Sequence, residues 1–146
     1  MASFVYTRAT GLLNPTVLTG DVRAALLMSN TTADTEPDTE FISGFTTLDE
    51  YDGAAYARVA LTTEAFAVDL ANDRFEFTSD AFTFAGIGVG TRQCIALLIY
   101  LHVTNDADSK PLFYIDGTGF PFDGNGSDVV FTPDAAAGIA YIRNNA

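Results

Sequence analysis

Gln93-Cys94-Ile95-Ala96-Leu97-Leu98-Ile99-Tyr100-Leu101-His102-Val103 decides the fold. In an extended chain Ile95, Leu97, Ile99 and Leu101 point to one side, and Cys94, Ala96, Leu98 and Tyr100 to the other. A run that is apolar at both parities reads as a central strand covered on both faces. It falls well short of the roughly 20 apolar residues that a membrane-crossing helix needs, so it belongs to a core.

On either side of this run the apolar residues recur with period two, and helical periodicity is almost absent. Val22, Ala24, Leu26 and Met28 share one face of an early strand, Ala57, Val59 and Leu61 one face of a later one, and Phe66, Val68 and Leu70 repeat the pattern. Past the turn at Asn72-Asp73, Phe75 and Phe77 alternate with Arg74, Glu76 and Thr78, then Phe82 and Phe84 with Thr83, giving strands with one wet face. Pro111 to Ile115, Asp128 to Phe131 and Gly138 to Arg143 complete the set. Short strands between loops rich in Gly, Asp and Asn predict an all-β fold, an antiparallel β-sandwich or jelly-roll-like barrel.

The 146 residues suit one domain with its own core, here residues 1–146. Two segments stand outside the strand pattern. Met1 to Leu18, punctuated by Gly11, Asn14 and Pro15, reads as an extended arm that could reach a partner subunit. Ser29 to Tyr51 reads as a long acidic excursion loop with one helical turn, polar from Asn30 to Glu40 before Phe41, Ile42 and Phe45 restore apolar character. Those three side chains anchor either in the home core or on a neighbour.

Against 7 Lys plus Arg stand 19 Asp plus Glu, a net charge of -12 spread along the chain. Nucleic-acid backbones and anionic membranes would be repelled, whereas a basic protein would be attracted. Met1 to Arg8 has no basic leader before an apolar run, which predicts no export signal. Cys94, the single cysteine, sits in the core run and reads as a buried, inert thiol compatible with a reducing compartment.

Catalytic chemistry finds little to work with. His102 is the only histidine and lies at the end of the core run, so it reads as structural or superficial rather than as part of a hydrolase triad or zinc site. Lys110, the only lysine, precedes Pro111 in a turn. Gly86-Ile87-Gly88-Val89-Gly90 leads into a strand, not the helix that a dinucleotide loop must open, and reads as a flexible connection. Asp123, Asn125 and Asp128 space oxygen donors as a calcium loop does, but the completing glutamate is missing and the same residues make turns. Carboxylate pairs for glycoside chemistry are inevitable among so many acids, yet tryptophan, a common sugar-stacking residue, is absent. Asn30-Thr31-Thr32 and Asn125-Gly126-Ser127 match the glycosylation sequon without an export signal to make use of it. The chain therefore reads as no enzyme, without cofactor or metal.

From Leu48 to Asp128 the succession of features resembles small virion proteins of tailed bacteriophages. It comprises Leu48-Asp49-Glu50-Tyr51-Asp52-Gly53-Ala54-Ala55-Tyr56-Ala57-Arg58-Val59-Ala60-Leu61, Asp73-Arg74-Phe75, Phe82-Thr83-Phe84, Leu97-Leu98-Ile99-Tyr100, Pro111-Leu112-Phe113-Tyr114-Ile115-Asp116 and Phe120-Pro121-Phe122 before Asn125-Gly126. The resemblance implies a capsid decoration (cement) protein, made in the host cytoplasm, that binds the major capsid protein on the outside of the head and stabilises the shell. It also implies a homo-oligomer, with a trimer first in line. Phe4, Val5, Tyr6, Phe41, Ile42, Phe45 and Tyr51, apolar residues of the arm and loop, are the expected partner contacts. A tail or head-fibre module is the nearest alternative, and a small carbohydrate-binding or hydrolytic β-domain the alternative from another class.

Overall fold

The computed structural model describes residues 3–12, 20–135 and 138–143. Among the described residues ten strands form three antiparallel sheets that pack together as a β-sandwich. They are β1 (Phe4–Val5), β2 (Asp21–Met28), β3 (Val59–Ala60), β4 (Ala65–Asp69), β5 (Arg74–Thr78), β6 (Phe82–Phe84), β7 (Cys94–His102), β8 (Lys110–Ile115), β9 (Val129–Phe131) and β10 (Ala140–Arg143). The main sheet runs β1-β8-β7-β2-β3, a second sheet β10-β5-β4, and a two-stranded ribbon β6-β9.

β7 lies at the centre of the main sheet, between β8 and β2, and Ala96 to Tyr100 are buried at both parities. Each large side chain so buried contributes roughly 1.5–3 kcal/mol relative to exposure. Register shows what covers each face, because directly paired residues share a face. Leu97 pairs with Ile115 and Ile99 with Phe113. Phe113 stacks on Phe77 of β5 with ring centroids 5.3 Å apart, so this face meets the second sheet. Leu98 pairs with Tyr114, whose ring stacks on Phe4 at 5.3 Å. Phe4 leads on to Tyr6 and Phe45, so the opposite face is roofed by the N-terminal segment and the 29–51 loop.

That roof corrects the expectation of a free arm. Residues 3–12 fold back onto their own chain: β1 pairs with β8, Tyr6 is buried and its hydroxyl donates to the Ala33 carbonyl at 2.8 Å, and a 3-10 turn follows at Thr7–Gly11 with Ala9 buried. Reaching a partner would strip these apolar rings from the core. Residues 13–18 of the expected arm lie outside the described residues. The 29–51 loop contains its expected helical turn, a 3-10 turn at Ile42–Gly44. It is stitched down by Glu36, whose carboxylate accepts from the Thr46 N–H at 2.9 Å and from the Thr32 hydroxyl at 3.0 Å. Burial of Ala25 and Leu27 in β2, beyond the single face expected, has the same cause, since Ala25 pairs with Leu98 and Leu27 with Ala96 beneath this roof.

Candidate interaction surfaces

His102 and Arg58 each have partners within the fold. His102 Nδ1 lies 3.4 Å from the Ser109 hydroxyl, but that buried hydroxyl donates to the Asn105 carbonyl at 2.7 Å and accepts from the Val103 N–H. It has no proton to give a base. Arg58 spans two carboxylates, donating to Glu50 at 2.7 and 2.8 Å and to Asp106 at 2.5 and 2.9 Å, with its guanidinium over the Tyr100 ring. These bonds hold the Asp106 carboxyl below its ordinary range, against the opposing effect of burial. A carboxylate so engaged is a strut between the 50–58 segment and the β7–β8 connection.

Among the described residues, no three His, Cys, Asp or Glu side chains converge as a metal site. Asp128 accepts the Gly86 N–H at 2.8 Å, Asn125 the Ser127 N–H at 3.0 Å, and Asp123 lies 3.4 Å from the Gln93 amide. The glycine run is not the flexible connection expected. Ile87 is buried, Gly88 donates to the Ala54 carbonyl at 2.8 Å, and the Tyr51 hydroxyl bonds both Gly88 and Gly90. Sequence reasoning missed this knot, whose local signal was a tyrosine followed at a distance by two glycine clusters.

Of the expected partner contacts, Tyr6, Ile42, Phe45 and Tyr51 are buried in the home core and offer no surface. Phe41 is half-buried beneath the Lys110 ammonium, 5.5 Å from the ring centroid. Phe4 and Val5, also half-buried, line a groove of about 460 Å³ between β1 and β10.

That groove leads to the surface that the sequence reading did not foresee. In the second sheet Val68 pairs with Phe75 and Phe75 with Ile142, one row deep in the same face as Phe66 and Phe77. Phe77 is covered by Phe113, but the next row runs past the main sheet: Val68 is 67% exposed, Ile142 38%, and Leu70 at the strand's end 83%. The opposite face is polar, with Arg74 bonded to Asp69 and Glu76 and stacked over Tyr141. Among the described residues nothing covers this end of an inner, core-patterned face, and Ile142 joins it to the β1–β10 groove. Contiguous apolar surface of this kind marks sites of association.

A second groove, of about 520 Å³, runs beside β9 and is lined by Phe122, Phe131, Val130, Asp123 and Asp128 among others. Its two rings, Phe122 and Phe131, pack on aromatic neighbours outside the lining, Phe122 on Phe120 at 5.6 Å. Phe131 lies 5.5 Å from Phe82 and 5.8 Å from both Phe84 and Phe120.

The chain matches no protein-family model, no curated protein and no solved structure.

Proposed function

We propose that this chain is a non-enzymatic virion structural protein that binds the outer surface of a tailed-phage capsid and stabilises it. The observation that carries the adhesive part of this reading is the uncovered row Val68–Phe75–Ile142 with Leu70 beyond it. An inner sheet face left open costs solubility unless another surface covers it in the working assembly. The phage setting rests on the sequence resemblance.

The row is free of charge, whereas the molecule as a whole carries -12. Copies of so acidic a chain approach one another most cheaply through such a face, which suits a homo-oligomer, with a trimer first in line. Acidic surface elsewhere suits basic patches of the major capsid protein and disfavours nucleic acid and anionic membrane. A sugar site is the weaker reading, because the rings beside Asp123 and Asp128, Phe122 and Phe131, are each engaged with Phe120 and half-buried, and among the described residues no open ring face beside a carboxylate pair stands out.

The test mixes purified protein with heads that lack it, followed by sedimentation across a salt series. Wild type is expected to co-sediment, and Val68→Lys/Leu70→Lys, which changes only exposed side chains, to remain folded but lose self-association and with it shell binding. Failure of wild type to co-sediment at every salt concentration overturns the capsid reading. Binding to tails in place of heads moves the protein to the tail-module alternative.

A further inference from the structure

We infer that the groove beside β9 takes an extended, lysine- or arginine-bearing polypeptide segment of a partner, added as a third strand to the β6–β9 ribbon. Among the described residues β9 pairs with β6 alone, in the register Phe82–Phe131, Thr83–Val130 and Phe84–Val129. The groove is lined by Val129, Val130 and Phe131 of this strand and by Thr118, Gly119, Phe122 and Asp123 from the segment before it. A strand edge presents alternating N–H and C=O groups that an incoming extended chain satisfies, while pockets beside it sort the side chains.

The occupant's character follows from the lining. Phe122 and Phe131 are half-buried and Val130 is 57% exposed, so apolar contact is on offer along the strand. The charged side chains of the lining are Asp123 and Asp128, with no lysine or arginine among them. Asp128 already holds the Gly86 N–H through one carboxylate oxygen, which fixes its position at the groove and leaves the other oxygen for a cation. Two copies of this chain pairing β9 to β9 would bring the same aspartates together on molecules of net charge -12, so a second copy is disfavoured here. A basic segment meets both the apolar floor and the acidic rim. The inference stands apart from the capsid reading, since it specifies the chemistry of the segment and not the particle that carries it.

The probe is a short synthetic peptide alternating valine with lysine, its counterpart being the same peptide with glutamate for lysine. Binding is followed by fluorescence anisotropy on the full chain, and its location by amide hydrogen exchange. The lysine peptide is expected to bind with an affinity that falls as salt rises, and to protect amides within residues 128–132. Asp123→Asn/Asp128→Asn keeps an acceptor for the Gly86 N–H and is expected to weaken binding about tenfold. Val130→Lys, at an exposed position, should do the same by placing a cation in the groove. Asp38→Asn/Asp108→Asn makes the same change in net charge at exposed sites elsewhere and should leave binding within about twofold. No binding of the lysine peptide, equal binding of the glutamate peptide, equal loss in the control variant, or protection away from β9 each overturns the inference.

Discussion

The Tyr51 hydroxyl donates to the Gly88 carbonyl at 2.9 Å and, from the same oxygen, accepts the N–H groups of Gly90 at 2.9 Å and Gly124 at 2.8 Å. One buried side chain thereby closes three segments distant in sequence, in a region where no strand pairs them. Gly53 and Gly124 let the loops come this close, since a Cβ on either would press on the Gly88 carbonyl.

Tyr51→Phe removes that oxygen and retains the ring, leaving two N–H groups and a carbonyl to find other partners. Unsatisfied buried polar groups cost about 1–3 kcal/mol each, and partial relaxation brings the expected loss to roughly 2–4 kcal/mol. Urea unfolding followed by circular dichroism measures it. A loss below about 1 kcal/mol would mean that water enters and replaces the hydroxyl, and that the knot is not a stabilising element.

Gly124→Ala should destabilise the protein by roughly 1–3 kcal/mol, because backbone must move to admit the methyl group. Gly117→Ala is the matched control, with open space where its Cβ would stand and no left-handed φ, and should be neutral or stabilising by up to about 1 kcal/mol. Equal effects at the two positions would dismiss the close approach as the cause.

The central strand was legible because burial on two faces leaves a sequence no polar parity, as Ala96 to Tyr100 demonstrate. The material covering its second face was not legible as such. Tyr6, Ala33 and Phe45 belong to irregular segments with no periodicity to betray them, and the same apolar residues would look identical reaching for a neighbour. The uncovered row was hidden for the opposite reason. Phe66, Val68 and Leu70 alternate as a core strand does, and only the relative extent of two sheets decides that Val68 and Leu70 emerge from it. The aspartates and asparagine between 123 and 128 carry equal signals for a cation loop and for turns, and it is the bond from Gly86 to Asp128 that assigns this loop its structural role.

Arg58 makes acid stability dependent on Asp106. The guanidinium lowers the Asp106 pKa in the folded state, so its contribution is fully present above the unfolded value of about 4 and is lost as pH falls through the lower folded value. Arg58→Met abolishes the pairing and leaves two part-buried carboxylates without their cation, a loss of roughly 1–3 kcal/mol at neutral pH. The gap between variant and wild type should then narrow as urea unfolding is repeated from pH 7 towards pH 3. A constant gap would show that Arg58 acts by packing over Tyr100 and not through its charge.

Cys94 offers a way to time the opening of the same region. Its side chain is inaccessible, burial pushes the thiol up to about 12, and its backbone exchanges two hydrogen bonds with Phe122, two residues before Gly124. Since the thiolate is the reactive form, about one molecule in ten thousand would carry it at pH 8 while the thiol stays buried, and opening of the site restores both access and ordinary acidity. Native protein should therefore resist a disulfide reagent for as long as the fold holds, and react once urea unfolds it. Loosening the Tyr51 knot should raise the native rate, because opening of the loop across Cys94 is then less costly. Tyr51→Phe and Gly124→Ala are expected to react about tenfold or more faster than wild type, and Gly117→Ala no faster. Rapid stoichiometric labelling of the native wild type would overturn the burial argument, while equal rates in all four proteins would show that Cys94 becomes exposed by an opening that leaves the Tyr51 hydroxyl bonded.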